Sequence, residues 1–438
     1  MREEQALQRS TLIVTTVTAF MAPFMLSSVN VALPALQAEF AADAVLLGWV
    51  ATAYLLATAM VLVPAGKFAD IHGRKKVFLS GIVVYTLGSF FSILVPDIRW
   101  FLAMRAVQGL GAALFITTSM ALLTSVFPPG KRGWGIGILV TAVYAGLATG
   151  PFAGGLLIQH FGWRSLFWVM LLLGTGSLLL ALRFLRGEWA DAREEKFDLS
   201  GSLVYAVSIF CLVYGGIRMP ERVAWLLVPA GLMGLYLFFR LQKSSPCPIF
   251  PVALLQSNRV FLFSSLAALI HYAATFAVTF QISLYLQYIR GMTPRTAGMI
   301  LMIQPLLMTL FSAPAGRLSD RLEPRLIASA GMGLTALGLA VFVLLGPGTT
   351  VWLVAGNLAL LGFGFALFSS PNMSAIMGSV ERRQYGLASG TVATMRLLGQ
   401  MFSMTVATIF LSLFIGRETI RPENYPLFLT SMHTSFVF

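Results

Sequence analysis

Arg105, His271 and Arg396 are the ionisable side chains that stand inside long apolar stretches of this 438-residue sequence. Such groups are costly in hydrocarbon, so their presence points to moving or balancing charge. Arg105 and Arg396 stay cationic at any physiological pH and can hold an anion. His271 alone among these has an unperturbed pKa near neutrality, which suits it to carrying a proton; a lone buried histidine is also a common hydrogen-bonded packing residue. Uncharged polar residues share the stretches: Asn30, Gln108, Tyr144, Tyr272, Gln281, Tyr285, Gln304, Asn357 and Gln400 could line a path for water and a substrate. Met302, Met308 and Phe365 would give that path apolar walls. Every Asp and Glu falls in a predicted loop, at a helix end or in the tail. No His/Cys/Asp/Glu group has metal-ligand or catalytic spacing, and no glycine-rich phosphate loop is present. An enzyme, a cofactor or metal site and an ATP-driven pump are therefore disfavoured.

The elements that position these residues follow from composition. Hydrophobic residues make up 57% of the chain and charged ones 11%, against about a quarter charged in an ordinary soluble domain. Lipid is the solvent that fits, and in lipid the backbone must satisfy its own hydrogen bonds. The apolar runs are about 20 residues long, the length of a spanning helix and too long for barrel strands. Helices are predicted at 11–35, 46–66, 76–96, 99–126, 134–158, 163–185, 200–217, 223–241, 260–288, 294–315, 325–346, 350–372 and 386–415. The tail from Pro426 to Phe438 starts another apolar run too short to span; it reads as a truncated fourteenth helix.

Lys and Arg set the orientation. With the N-terminus on the inner side, 20 of the 30 fall in inner loops, 8 in outer loops and 2 within helices. The net charge of +13 is thus a topology signal, and no separable basic segment suggests nucleic acid. Cys211 and Cys247 make no disulfide framework. Two polar linkers, 186–199 and 242–258, flank a pair of apolar helices. The expected domains are a six-helix bundle over 1–185, a linker with two inserted helices over 186–258, and a second bundle over 259–438 with its last helix incomplete.

The loop after the second helix carries Gly66, Lys67, Asp70, Gly73, Arg74, Lys75 and Lys76. Its glycines allow tight turns or close approach. Asp70 can pair with an arginine in a latch that breaks when helices slide. Gly316 to Asp320 repeats the pattern in the second half. This loop resembles the signature of the major facilitator superfamily. Arg105, Gln108, Gly109 and Gly111 resemble its fourth-helix motif. Gly146, Gly150, Pro151, Gly154 and Gly155 resemble the fifth-helix motif of its antiporters. With Asn30 to Pro34, Leu284 to Gln287 and Ala388 to Gly390, they resemble the fourteen-helix drug:proton antiporter branch along essentially the whole chain.

That resemblance implies an all-α polytopic protein of the plasma (inner) membrane, built of two six-helix bundles plus two inserted helices, with a cytoplasmic N-terminus. It implies a monomeric exporter that moves lipophilic or amphipathic small molecules outward by alternating access, in contact with membrane lipid and coupled to protons. It places Arg105 near the cavity and its coupling, with capping of carbonyls or snorkelling as the alternative; Gln108, His271 and Arg396 are further cavity and coupling candidates from their chemistry, Arg396 with pairing to inner-half backbone as its alternative. Asn30, Tyr144, Gln281, Tyr285, Gln304 and Asn357 are substrate-contact candidates, and Gly66, Asp70, Gly73, Arg74 and Asp320 form the gating motif. One position departs from the branch. Met25 stands where an aspartate commonly precedes the Asn30 to Pro34 run. A cavity with arginines and no carboxylate favours neutral or anionic substrates over cations. A dedicated lipid or metabolite transporter without proton drive is the alternative.

Overall fold

The structure is a computed structural model describing all residues except positions 1, 129–131, 186, 191, 220, 246, 251, 320 and 382–384, and except the side chains at 2–4, 132, 133, 385–387 and 389. The described residues are helical nearly throughout. In order they form α1 (Arg2–Phe40), α2 (Ala44–His72), α3 (Arg74–Ile93), α4 (Ile98–Val126), α5 (Arg132–Phe161) and α6 (Arg164–Phe184). Then come α7 (Leu199–Ile217), α8 (Arg222–Ser244), the short α9 (Val252–Ser257), α10 (Arg259–Thr275) and α11 (Ala277–Leu284). The chain continues through α12 (Pro294–Leu301), α13 (Ile303–Ser319), α14 (Pro324–Phe342), α15 (Val351–Ser379), α16 (Tyr385–Phe414) and α17 (Tyr425–Val437). Among the described residues thirteen helical segments are long and apolar enough to cross a membrane.

Several helices outrun the predicted spans. The first, expected over 11–35, extends over Arg2–Phe40, because hydropathy marks only the part in lipid while polar turns continue the same hydrogen-bond ladder. The expected helix 260–288 is divided. It breaks between α10 and α11 at Phe276 and ends in a π-helical turn, Tyr285–Ile289. The expected helix 294–315 divides at Met302 into α12 and α13.

Three aspartates cap helix starts. Asp43 accepts from the Leu46 amide at 2.7 Å, Asp97 from the Arg99 amide at 2.8 Å, and Asp198 from the Gly201 amide at 2.8 Å. Each satisfies amides that the first turn leaves unbonded.

α1 to α6 pack on one another and α10 to α17 do likewise. Between helices in lipid there is no hydrophobic drive, so small residues that admit close contact hold them. Gly146, Gly150 and Gly154 form one ridge of α5. A Cβ on them would collide with the Phe20 carbonyl, the Ser27 side chain and the Ser28 side chain of α1. Ser28 Oγ closes the seam by donating to the Gly150 carbonyl at 2.8 Å. Of the inserted pair, α7 lies on α2 and α16 and α8 packs on α7, with the Tyr205 hydroxyl donating to the Ala59 carbonyl at 3.1 Å. α17 packs on α16 and α14.

Candidate functional site

The bundle has two unlike ends. The basic end holds the N-terminus and the α2–α3 turn. The opposite end holds the α1–α2 and α5–α6 loops. At the opposite end the two halves meet backbone to backbone. A Cβ on Gly155 of α5 would strike the Pro294 carbonyl of α12, and one on Gly298 of α12 would strike the Pro151 carbonyl of α5. Ser283 Oγ donates to the Asn30 carbonyl at 2.7 Å, Gln287 Nε2 to the Val31 carbonyl at 3.2 Å, and Gln37 Nε2 to the Ile420 carbonyl at 3.1 Å. Gly155 thus belongs to the contact between halves, whereas the other three antiporter-motif glycines serve the first half alone.

A cavity of about 70 Å³ lies at mid-depth between the halves. That is room for about two water molecules. Ser27, Leu147 and Pro151 face it from the first half. Tyr272, Thr275, Phe276, Thr279, Leu301, Gln304, Pro305, Met308, Phe365 and Gln400 face it from the second. Its wall contains both helix breaks. Phe276 separates α10 from α11, and the freed Ala277 amide donates to Ser403 Oγ of α16 at 2.9 Å. Met302 separates α12 from α13, next to Pro305, which has no amide to continue the ladder. Irregular backbone in lipid is tolerated where it faces a cavity or is covered by protein, so the breaks make this the candidate working centre.

On the basic side of the cavity stands a polar group drawn from both halves. The Tyr144 hydroxyl of α5 and Ser369 Oγ of α15 are 3.3 Å apart. Tyr272 of α10 and Arg396 of α16 lie beside them. Gly399 makes this possible, because a Cβ there would overlap the Leu269 carbonyl and Tyr272 Cβ of α10. All four polar residues are half-buried. Sequence reasoning passed over Ser369, Ser27, Thr275 and Thr279, which look like ordinary helix-face hydroxyls.

His271 sits behind the cavity wall. Its ring stacks on Phe368 at 4.1 Å and meets Phe365 at 4.9 Å, and its Nε2 is buried with no partner. Gln304 reaches the cavity with its Oε1 unpaired.

Other candidates lie elsewhere. Arg105 and Gln108, expected at the cavity, are 0% exposed inside the first half. Arg105 Nε donates to the Val50 carbonyl at 3.1 Å, its Nη1 donates to Gln108 Oε1 at 2.7 Å, and its guanidinium lies 4.6 Å from the Tyr54 ring centroid. Gln108 then donates to Ser89 Oγ at 2.8 Å. α4 therefore turns this face towards α2 and α3. Asn357 donates to the Gly338 carbonyl at 2.7 Å and ties α15 to α14. The Tyr285 hydroxyl donates to the Gly346 carbonyl at 2.8 Å at the opposite end. Gln281 is buried with both amide atoms unpaired, and Asn30 has its Oδ1 unpaired.

The loop expected to act as a gate is formed by α2, a turn at Gly73 with φ 116°, and α3. Arg74 Nε donates to Asp70 Oδ1 at 2.8 Å and its Nη1 to Ser125 Oγ at 2.7 Å. Gly66 needs a different account from the expected one. It lies within α2 with nothing within 4 Å of a Cβ, so the turn is Gly73's alone. Asp320 lies outside the described residues. The first linker straps this loop: the Arg74 amide donates to the Trp189 carbonyl at 2.8 Å, the Ala192 amide to the Asp70 carbonyl at 3.0 Å, and the Lys75 amide to Glu188 Oε1 at 2.8 Å. Lys67 pairs with Glu195 at 2.5 Å. That pairing, with a hydrogen bond from Cys247, holds the Glu195 carboxyl below its ordinary range.

Comparison with known proteins fits this architecture. The family model described as Major Facilitator Superfamily matches residues 15–404. The multidrug resistance protein Stp of Mycobacterium tuberculosis is 32% identical over 95% of this chain and 78% of its own. The tetracenomycin C resistance and export protein of Streptomyces glaucescens is 30% identical over 93% and 76%. The riboflavin transporter RibZ of Clostridioides difficile is 28% identical over 94% and 90%. A crystal structure of a peptide transporter POT in complex with sulfate superposes with a TM-score of 0.70 over 99% of this chain and 96% of that one, at 16% identity, which speaks to the fold.

Proposed function

The chain belongs to the major facilitator superfamily, and from that premise we propose that it exports lipophilic or amphipathic small molecules across the plasma membrane by alternating access. The observation that carries the reading is the asymmetry of the bundle. The ends remote from the N-terminus are closed by Gly155 against Pro294 and Gly298 against Pro151, while a cavity with polar lining persists at mid-depth. The excess of Lys and Arg at the N-terminal end makes that end cytoplasmic, so the closed end faces outward. Rocking the halves about the cavity would break the glycine contacts and open it to the outside. Two of the relatives carry resistance or export in their names, which supports outward transport.

Proton exchange belongs to the same proposal. His271 is the titratable side chain beside the cavity wall, with Nε2 unpaired, and it would be the coupling group. The second reading, a dedicated metabolite carrier without proton drive, draws support from the riboflavin transporter among the relatives. Proteoliposomes loaded with an amphiphilic dye decide between them. Efflux that collapses when the pH gradient is dissipated supports proton exchange; efflux unaffected by it selects the second reading; no efflux overturns export.

A further inference from the structure

Two prolines, one from each half, line the cavity and set what it can hold. They are Pro151 of α5 and Pro305 of α13. Neither has the amide that a helix would give to the carbonyl four residues earlier. Those carbonyls belong to Leu147 and Leu301, and both residues line the same cavity. Each half therefore brings a carbonyl without its helical donor. Gln304 adds a third acceptor. It is 6% exposed, and its Oε1 is buried with no partner. Its backbone is fixed by α15, where a Cβ on Gly362 would strike the Gln304 carbonyl. Two hydroxyls that could answer these acceptors are already engaged within their own helices. Ser27 Oγ donates to the Pro23 carbonyl at 2.9 Å, and Thr275 Oγ1 to the His271 carbonyl at 2.8 Å. Among the described residues the lining has no Asp, Glu, Lys, Arg or His.

We propose, resting on the export reading above, that this cavity is an acceptor pocket for hydrogen-bond donors on aromatic lipophiles, phenols above all, and that Gln304 selects for them. A buried acceptor without a partner is costly, and a ligand that brings an O–H or N–H removes that cost. The phenol O–H donates to Gln304 Oε1. Its ring rests on Phe365 and Met308, an aromatic face and a thioether that accept flat bodies without demanding one ring system. A methylated analogue of nearly the same shape leaves the Gln304 oxygen buried and unpaired, which is the basis on which such a site rejects it. The cavity is small in this state. It widens as the Tyr144 hydroxyl and Ser369 Oγ, 3.3 Å apart across the halves, separate.

The test uses purified full-length protein and a matched pair of probes, tritiated naphthol and its tritiated methyl ether. Wild type is expected to bind naphthol roughly tenfold more tightly than the ether, as an unanswered buried acceptor requires. Gln304→Met keeps the length of the side chain and removes the acceptor. It is expected to abolish the preference while the ether binds as well as before or better, an outcome that a merely structural role for Gln304 would not produce. Pro305→Ala supplies an amide to the Leu301 carbonyl and is expected to lower the preference several-fold; it decides the matter if Gln304→Met fails to fold. Equal binding of the two probes by wild type, or a preference untouched in these variants, overturns the proposal. Binding to solubilised protein and dye efflux from proteoliposomes separate the two levels of the argument. Dye efflux with equal binding of the probes overturns the acceptor pocket and leaves export standing. A preference for naphthol without dye efflux overturns export and leaves the pocket.

Discussion

Gly155 lies so close to the Pro294 carbonyl that a single added methyl group has no room. The two residues belong to different halves, so this contact closes the opposite end of the bundle without burdening the packing of either half. Gly155→Val is therefore expected to leave the chain folded and to hold that end ajar. Thiol labelling of a Thr279→Cys variant from the outer face should rise in the Gly155→Val background, and efflux should fall at least tenfold. Unchanged labelling would mean that the glycine contact does not close the end.

Arg105 should behave as a stability residue. Its guanidinium is fully buried, with Nε bonded to the Val50 carbonyl, Nη1 to Gln108, the Tyr54 ring beneath it and Nη2 left unpaired. Truncation to Ala leaves Gln108 and the Val50 carbonyl without their donor. The expected cost is about 3 kcal/mol, the range for breaking a buried charged network. A fall in thermal unfolding temperature in detergent, with KM unchanged in the protein that survives, would bear this out. A change in substrate KM at constant stability would contradict it.

His271 is packed between Phe368 and Phe365, so replacement by Leu approximately conserves volume in the wall. If His271 couples transport to protons, His271→Leu abolishes the dependence of efflux on the pH gradient while the folded yield is kept. A gradient dependence that survives the substitution assigns coupling elsewhere.

The strap over the gating loop is acid-sensitive by design of its charges. Pairing with Lys67 and the hydrogen bond from Cys247 depress the Glu195 carboxyl. A depressed carboxylate contributes stability above its unfolded pKa and loses it as pH falls through the folded one. Protection factors of the Arg74, Lys75 and Ala192 amides against hydrogen exchange should therefore be high at neutral pH and fall below the ordinary carboxylate range. Glu195→Gln should remove that acid-dependent step.

Much of this architecture was legible because lipid imposes simple demands. Crossing requires apolar length, and thirteen runs of that length are visible in the residues. The antiporter-motif glycines also announced close packing, as the Gly146, Gly150 and Gly154 ridge demonstrates. The candidate site was harder to read. Hydropathy says that Arg105 and Arg396 are both in spans but not which way each helix faces, and that rotation leaves Arg105 fully buried and Arg396 half-buried. The break at Met302 had a signal in Pro305. The break at Phe276 had none, since its cause is a tertiary hydrogen bond from Ala277 to Ser403. Ser369 was invisible because its role depends on a tyrosine 225 positions away.

Arg396 carries a fixed positive charge with no ion pair among the described residues, and a role for it in holding anionic cargo would bear on the energy source. A cell interior is electrically negative, so an anionic cargo leaving it moves down the voltage. The work available is about 2.3 kcal/mol per unit charge for each 100 mV. A carrier that selects its cargo for negative charge thus acquires a driving force from the membrane potential itself. Transport of such a cargo should register as an electrical current and should speed up as an imposed inside-negative potential grows.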